Sequence, residues 1–243
     1  MNRDLLSSVI SRVNIRGLAD HAILQFKQRD LWCSFVSGDQ IVSGTIIYEK
    51  FNNGDNFVGD GKIGIPNLQD FVKKLDTLGA EIDVSIVTES RYYKVMVLSD
   101  GVWTIKHNLI VDSQMPPIRK IKTSSLSLAP VVLPVDTEFI KRFYKMTGAA
   151  KDCKYMYVVS GGTDVEMYIA QSDEFLTGVK LQYGLAEPGE SFERLKFDLK
   201  SIRNILNANK DMSGNLIFHT AGILHIEFIS DHMVCNYYLT AEI

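Results

Sequence analysis

The 243-residue sequence has no uninterrupted apolar run longer than about five residues, far below the roughly 20 that a membrane-crossing helix needs. A helical membrane span is excluded. It has only three cysteines, Cys33, Cys153 and Cys235, odd in number and far apart, which argues against a disulfide framework and for reduced thiols. Residues 1–8 carry neither the apolar stretch nor the cleavage site of a secretory leader, so the expected location is intracellular. Histidine is scarce, and no His-x-x-x-His, Cys-x-x-Cys, Gly-x-Ser-x-Gly or Gly-Lys-Ser/Thr occurs. No metal ligands, cofactor site or catalytic residues are therefore expected. Positive charge is also in deficit, 26 Lys and Arg against 29 Asp and Glu for a net −3. Taken as a total, that argues against a nucleic-acid partner, but a total says nothing about distribution.

Two further patterns lose their chemical meaning in context. Gly59-Asp60-Gly61-Lys62-Ile63-Gly64 spells the dinucleotide fingerprint, yet a polar Asn-rich segment precedes it and an alternating strand ending at Pro66 follows, where the fingerprint needs a helix. His219 and His225 flank a turn at Ala221-Gly222. A two-residue turn would pair His219 with Leu224 and point the two imidazoles to opposite faces. Glu187, Glu190 and Glu193, around Pro188-Gly189, read as a solvated loop.

What is present is a plan performed twice. Four of the six prolines, Pro116, Pro117, Pro130 and Pro134, fall in one stretch with Thr123, Ser124, Ser125 and Ser127, which reads as an extended connector outside any sheet. The expected division is a first domain over 1–118, a connector over 119–133 and a second domain over 134–243. Each half opens on an amphipathic helix, with Leu5, Leu6, Val9, Ile10 and Val13 on one face of the first and Phe139, Ile140, Phe143 and Thr147 on one face of the second. Asp136 or Thr137 can cap the latter. Alternating strands follow at 21–27, 31–36 and 41–51, and at 155–160, 165–170 and 176–183, with Gly38-Asp39 and Gly161-Gly162 placed for tight hairpins. A strand–helix–strand unit comes next, 62–65, 67–78 and 81–87 in one half, 195–199, 200–209 and 215–220 in the other. Two strands close each half, 92–98 with 102–111 and 223–229 with 233–239. The fold class is α+β, two similar domains, each with two helices packed on antiparallel sheets, from an internal duplication of about 110 residues.

The four expected helices, 2–16, 67–78, 136–151 and 198–210, hold twelve basic and six acidic residues. They carry +6 and the remainder −9. Lys141 and Lys145 lie opposite the apolar stripe of the third helix with Arg142 beside them; Lys200 lies on the polar face of the fourth, flanked by Arg203 and Lys210. Arg3 and Arg12 flank that of the first, and Lys73 and Lys74 share that of the second with Asp70 and Thr77. A solvated helix face accounts for any one of these. Segregation across all four points to sequence-independent contact with duplex phosphates, which is electrostatic and salt-dependent.

At the strand–helix–strand units and the C-terminus the sequence resembles the DNA sliding clamps, the ring-shaped processivity factors of replicative polymerases. Asn236-Tyr237-Tyr238-Leu239-Thr240-Ala241-Glu242-Ile243 is similar to the Tyr-Tyr-Leu-Ala-Pro ending of the proliferating-cell clamps, with Thr240-Ala241 in place of the usual Ala-Pro. Residues 195–209 and 62–78 are similar to their ring-lining helices with lead-in strands. The length looks more like phage clamps than the three-domain bacterial type. The resemblance implies a non-enzymatic homotrimeric ring around duplex DNA at the replication fork, tethering DNA polymerase and loaded by a clamp loader, without cofactor or membrane. Its DNA contacts would be Arg3, Arg12, Lys73, Lys74, Lys141, Arg142, Lys145, Lys200, Arg203 and Lys210. Subunits would join by strand pairing between residues 103–111, with Trp103, Ile105, His107 and Leu109, and residues 177–183, with Val179, Leu181 and Tyr183. Partner peptides would seat on Ile41, Leu126, Leu128, Pro130, Val131, Leu133, Ala241 and Ile243. For the connector side chains two readings stay open, a groove for a partner or pins holding the connector down. Rival functions are a structural ring or scaffold that does not use DNA, and a small α+β enzyme with a dispersed site.

Overall fold

Each of the four α-helices among the described residues starts on an Asn or Asp whose side chain accepts from a first-turn amide. The structure, a computed structural model, describes residues 1–27, 30–49, 61–89, 92–111, 114, 117, 126–150, 152–171 and 179–242. α1 (Arg3–Asn14) begins at Asn2, which accepts from the Leu5 amide at 3.0 Å. α2 (Leu68–Leu75) begins likewise at Asn67, α3 (Thr137–Ala149) at Asp136 and α4 (Leu199–Ala208) at Asp198. Of the two candidates at α3, Asp136 is the cap, accepting from the Phe139 amide at 2.7 Å; such a cap is worth about 1 kcal/mol. α1 is shorter than the pattern suggests because Ile15, Arg16 and Gly17 take φ of 34°, 55° and 83°, which ends an α-helix.

The chain forms two compact units, Met1–Arg119 with Asp231–Val234, and Lys120–Ser230 with Cys235–Ile243. In the first, β1 (Ala22–Lys27), β2 (Asp30–Val36), β3 (Val42–Tyr48) and β4 (Lys62–Ile65) are hydrogen-bonded in the order β4-β1-β2-β3. α2 then leads to a second sheet, β5 (Asp83–Glu89), β6 (Tyr92–Ser99) and β7 (Thr104–Asn108), in chain order. α1 packs beside α2 and on β2 and β3, burying Leu6, Val9, Ile10 and Val13.

The second unit repeats the topology. β9 (Tyr155–Ser160), β10 (Asp164–Ala170), β11 (Val179–Gly184) and β12 (Phe192–Asp198) run in the order β12-β9-β10-β11, the same permutation as in the first unit. α4 leads to β13 (Ser213–His219), β14 (Ile223–Ile229) and β15 (Met233–Thr240), paired in chain order. α3 packs beside α4 and buries Phe139, Ile140, Phe143, Met146 and Thr147; α4 buries Leu199, Ile202, Ile205 and Leu206 against β9 and β12. The structure is thus α+β with a repeated two-domain plan.

Four expectations need correction. The Pro-rich stretch is not all connector: β8 (Val131–Val135) pairs antiparallel with β13, Pro134 standing opposite Asn215. Proline is tolerated because β8 is the last strand of its sheet, so the missing amide costs no ladder bond. The β13–β14 hairpin has three loop residues, with Gly222 at φ 76°, so His219 pairs with Ile223 and His225 with Ile217. That one-residue shift puts both imidazoles on one face instead of two. The β2–β3 connection places its positive φ at Gln40, 61°, and not at Gly38. The strand expected to run to 111 ends at Asn108, because Ile110 crosses to bridge Gly64 of β4.

Gly214 shows how closely the β13–β14 ladder is packed: a Cβ there would stand 1.8 Å from the Glu227 carbonyl oxygen, whereas one at Gly148 in α3 would meet nothing within 4 Å. Gly214→Ala is expected to lower the unfolding free energy by about 1–3 kcal/mol, as overpacking does. Gly148→Ala is expected to raise it by roughly 0.5–1 kcal/mol through helix propensity. Urea denaturation of the two variants measures both signs.

Candidate nucleic-acid interface

The helices as formed contain nine cations and three acids, so the +6 expected from longer segments survives their trimming. Asp76, Asp136 and Asp198 drop out as cap residues. Lys210 lies two residues past the end of α4 and is exposed. The three acids that remain, Asp4, Asp70 and Glu138, all sit in first turns, where the helix dipole favours negative charge. The dipole also accounts for Arg12, Lys73 and Lys74 in last turns. It does not account for Lys141, Arg142, Lys145, Lys200 or Arg203, since α3 and α4 carry no basic residue in their last turns.

In the first unit the cations are largely engaged. Arg3 donates from Nη1 to the Leu78 carbonyl at 2.5 Å and pairs with Asp4. Arg12 bonds the carbonyl and hydroxyl of Ser8 one turn back. Lys74 pairs with Asp70 at 2.6 Å, and Lys73 is exposed. The Lys74 hydrogen bond holds the Asp70 carboxyl below the usual carboxylate range.

In the second unit the charge is freer. Arg142 pairs with Glu138 at 2.5 Å along α3, but Lys141, Lys145 and Lys200 are exposed and have no ion-pair partner among the described residues. The two helices are fixed side by side by Tyr144, whose hydroxyl donates to the Arg203 carbonyl while the Arg203 guanidinium lies 5.7 Å from its ring centre. The result is a paired-helix face with unneutralised ammonium groups, able to attract a polyanion without fixing its register.

The other named residues are distributed as follows. β7 and β11 are both terminal strands of their sheets. Before β7, Trp103 is 66% exposed. Ile105 is half-buried, but His107 and Leu109 point into the core of their unit, so only their backbone could serve a contact. On β11, Val179, Leu181 and Tyr183 are half-buried, the last with its ring 5.7 Å from Phe139 of α3. Of the peptide-seat residues, Leu128 is fully exposed at 102%, and Ile41, Leu126, Pro130 and Ala241 are half-buried. Val131 and Leu133 alternate inward from β8 and are buried at 0% and 3%, and the outward residue is Val132, 40% exposed. The alternation in Val131-Val132-Leu133-Pro134-Val135 was the signal for it, masked by the proline. Ile243 lies outside the described residues.

No protein-family model matches the sequence, and no curated protein does. Solved structures match over its whole length. It is similar to A. fulgidus PCNA, solved with the C-terminal region of FEN-1 bound, at 16% identity, 97% of that chain and a TM-score of 0.73. It is similar to the proliferating cellular nuclear antigen of Entamoeba histolytica at 15% identity, 96% of that chain and 0.68. The DNA polymerase III beta chain of Streptococcus pneumoniae matches at 14% identity and 0.72, the present chain spanning 64% of its length. The chain has the sliding-clamp fold.

One buried group in this region titrates. His107 donates from Nε2–H to the Pro66 carbonyl at 3.0 Å, meets Phe71 edge-on and has Nδ1 3.8 Å from Asp70. Burial holds its pKa below 6.5, with Lys74 acting the same way and the Pro66 carbonyl and Asp70 opposing. A depressed folded value means that the unfolded chain takes the proton first, so this contribution is present above pH 6.5 and lost as pH falls below it. Urea midpoints should therefore decline on acidification below 6.5, and His107→Gln should flatten part of that slope.

Proposed function

We propose that this chain is a DNA sliding clamp: a non-enzymatic protein that closes into a ring around duplex DNA and tethers a replicative polymerase, with a clamp loader as its second partner. The observation that carries the reading is the +6 on four helices of a clamp fold, with Lys141, Lys145 and Lys200 outside any ion pair among the described residues. Three two-domain chains give six domains, so the proposed ring is a homotrimer, as the resemblance implies. β7 and β11 are the proposed joining edges. An exposed edge strand is an aggregation hazard that pairing with a second copy removes. Exposed Leu128 and Val132, with half-buried Ala241, are the proposed seat for hydrophobic partner peptides. The structure of A. fulgidus PCNA with the C-terminal region of FEN-1 supports looking for such a peptide.

Sliding demands contacts that are weak one by one. An exposed lysine that is not held in one geometry contributes little on its own, and its attraction to phosphate falls as salt rises.

Size exclusion with light scattering should return about three chains per particle; a monomer at tens of micromolar would sink the ring. Lys141→Glu with Lys145→Glu should leave that mass unchanged and reduce clamp-dependent synthesis per binding event. The double variant should also lower the slope of log affinity against log salt by about 1 for each phosphate that is no longer neutralised. Unchanged processivity in the double variant would favour the scaffold reading.

A further inference from the structure

Outside the helix faces, a cluster of polar contacts surrounds the connector at residues 126–130. The Ser127 amide donates to Nδ1 of His219 at 3.0 Å. The Thr220 amide donates to the Ser127 hydroxyl at 3.0 Å, the two hydroxyls are 3.1 Å apart, and Thr220 Oγ1 donates to Glu190 at 3.1 Å. On the other side of Leu128, the Glu190 amide donates to the Ala129 carbonyl at 2.8 Å. Both backbone neighbours of Leu128 are thus tied to the second unit, while the Leu128 side chain stands fully in solvent.

A fully exposed leucine on a tethered backbone is a costly arrangement for a mere linker, since burying it would gain about 1.5–3 kcal/mol. We propose that Ser127, His219 and Glu190 form a clip that holds the connector in one conformation and presents Leu128 outward, and that the clip is closed only while His219 is neutral. Its function for partner binding rests on the peptide seat proposed above. His219, buried at 4% exposure, accepts at Nδ1, which requires the tautomer with its proton on Nε2. A proton on Nδ1 would face the Ser127 N–H, donor against donor, and break the bond.

The charged and titratable surroundings set when that happens. His219 packs under the connector with His225 from β14 on the same sheet face and Glu190 from the 185–191 loop. Burial is the main cause holding its pKa below 6.5; His225 adds to the effect and Glu190 opposes it. The Ser127 hydroxyl in turn holds the Glu190 carboxyl below the usual range, so the carboxylate stays charged while the imidazole titrates. The clip is closed at neutral pH and opens on acidification below 6.5.

Amide hydrogen exchange at Ser127, corrected for the intrinsic rate, reads the clip directly. In the wild type its protection should fall about tenfold between about pH 7.5 and about pH 5, the scale of one broken hydrogen bond. His219→Gln, which offers an acceptor that takes no proton, should keep protection at both pH values; His219→Phe should lose it at both. Wild-type protection that does not change with pH, or protection in the Phe variant equal to wild type, overturns the clip. The wild-type titration decides alone if the Phe variant fails to fold. The probe for the seat is a labelled peptide of the FEN-1 C-terminal region. Binding weakened by His219→Phe and spared by His219→Gln supports the clip as a positioning device. If exchange behaves as expected and peptide binding is the same in all three proteins, the clip stands and the peptide-seat reading fails.

Discussion

Burial of one face of each helix decides where the other face points, and the electrical character of the protein depends on it. Leu6, Val9, Ile10 and Val13 on α1, Phe71 on α2, Phe139, Ile140 and Phe143 on α3, and Ile202, Ile205 and Leu206 on α4 are all within a few per cent of complete burial. Each is worth about 1.5–3 kcal/mol, against a few tenths for any surface charge. With about 100° between successive residues, fixing the apolar stripe leaves Lys141, Lys145 and Lys200 no direction but outward. The net −3 then has no bearing on what a ligand meets at the helices, because the acids are in first turns, caps, strands and loops.

Much of this was legible in the sequence because it depends on period and on caps. The apolar spacing located α1 and α3, the repeated strand–helix–strand unit located α2 and α4, and Asp136 was one of two candidate caps for α3. The repeated strand–helix–strand unit announced a plan performed twice, and the structure shows that plan as the shared strand order β4-β1-β2-β3 and β12-β9-β10-β11. What resisted reading depends on a partner far away in the chain. Pro134 argues locally against a strand, and only an edge position beside Asn215 makes it acceptable. The His219–His225 relation turned on one extra loop residue, which the sequence around Ala221-Gly222 permits but does not specify. His107 sits where strand alternation allows either face, and the Pro66 carbonyl and Phe71 ring that hold it inward are about forty positions away.

The two units solve the same packing problem with different charge arrangements. In the first, Arg3, Arg12 and Lys74 are committed to a carbonyl, a serine and a carboxylate, so their positive charge is partly neutralised where it arises. In the second, one aromatic residue, Tyr144, fastens α3 to α4 through the Arg203 backbone, and the helix pair needs no ion pair across it. That leaves the lysines available. A duplicated fold whose copies have divided structural and electrostatic duties in this way is expected to tolerate charge reversal better in α3 and α4, as far as stability goes, than at Arg3.

The sheet ends carry the same logic. β7 is five residues long and β11 six, and each ends its sheet with a row of backbone groups facing outward. β11 places Lys180 and Gln182 on its exposed face, and Glu166 of β10 holds Lys180 there at 2.6 Å, which keeps that hydrogen bond between neighbouring strands; among the described residues β10 is the strand that pairs with β11. The Glu166 contact raises the Lys180 pKa and lowers that of Glu166 itself, so both stay charged across the neutral range. A strand guarded only on its face, and short enough to limit promiscuous pairing, can accept one complementary strand while discouraging random ones. That combination suits the proposed joint between copies of one chain: enough backbone donors and acceptors for a specific ladder, and too short a run for indiscriminate aggregation.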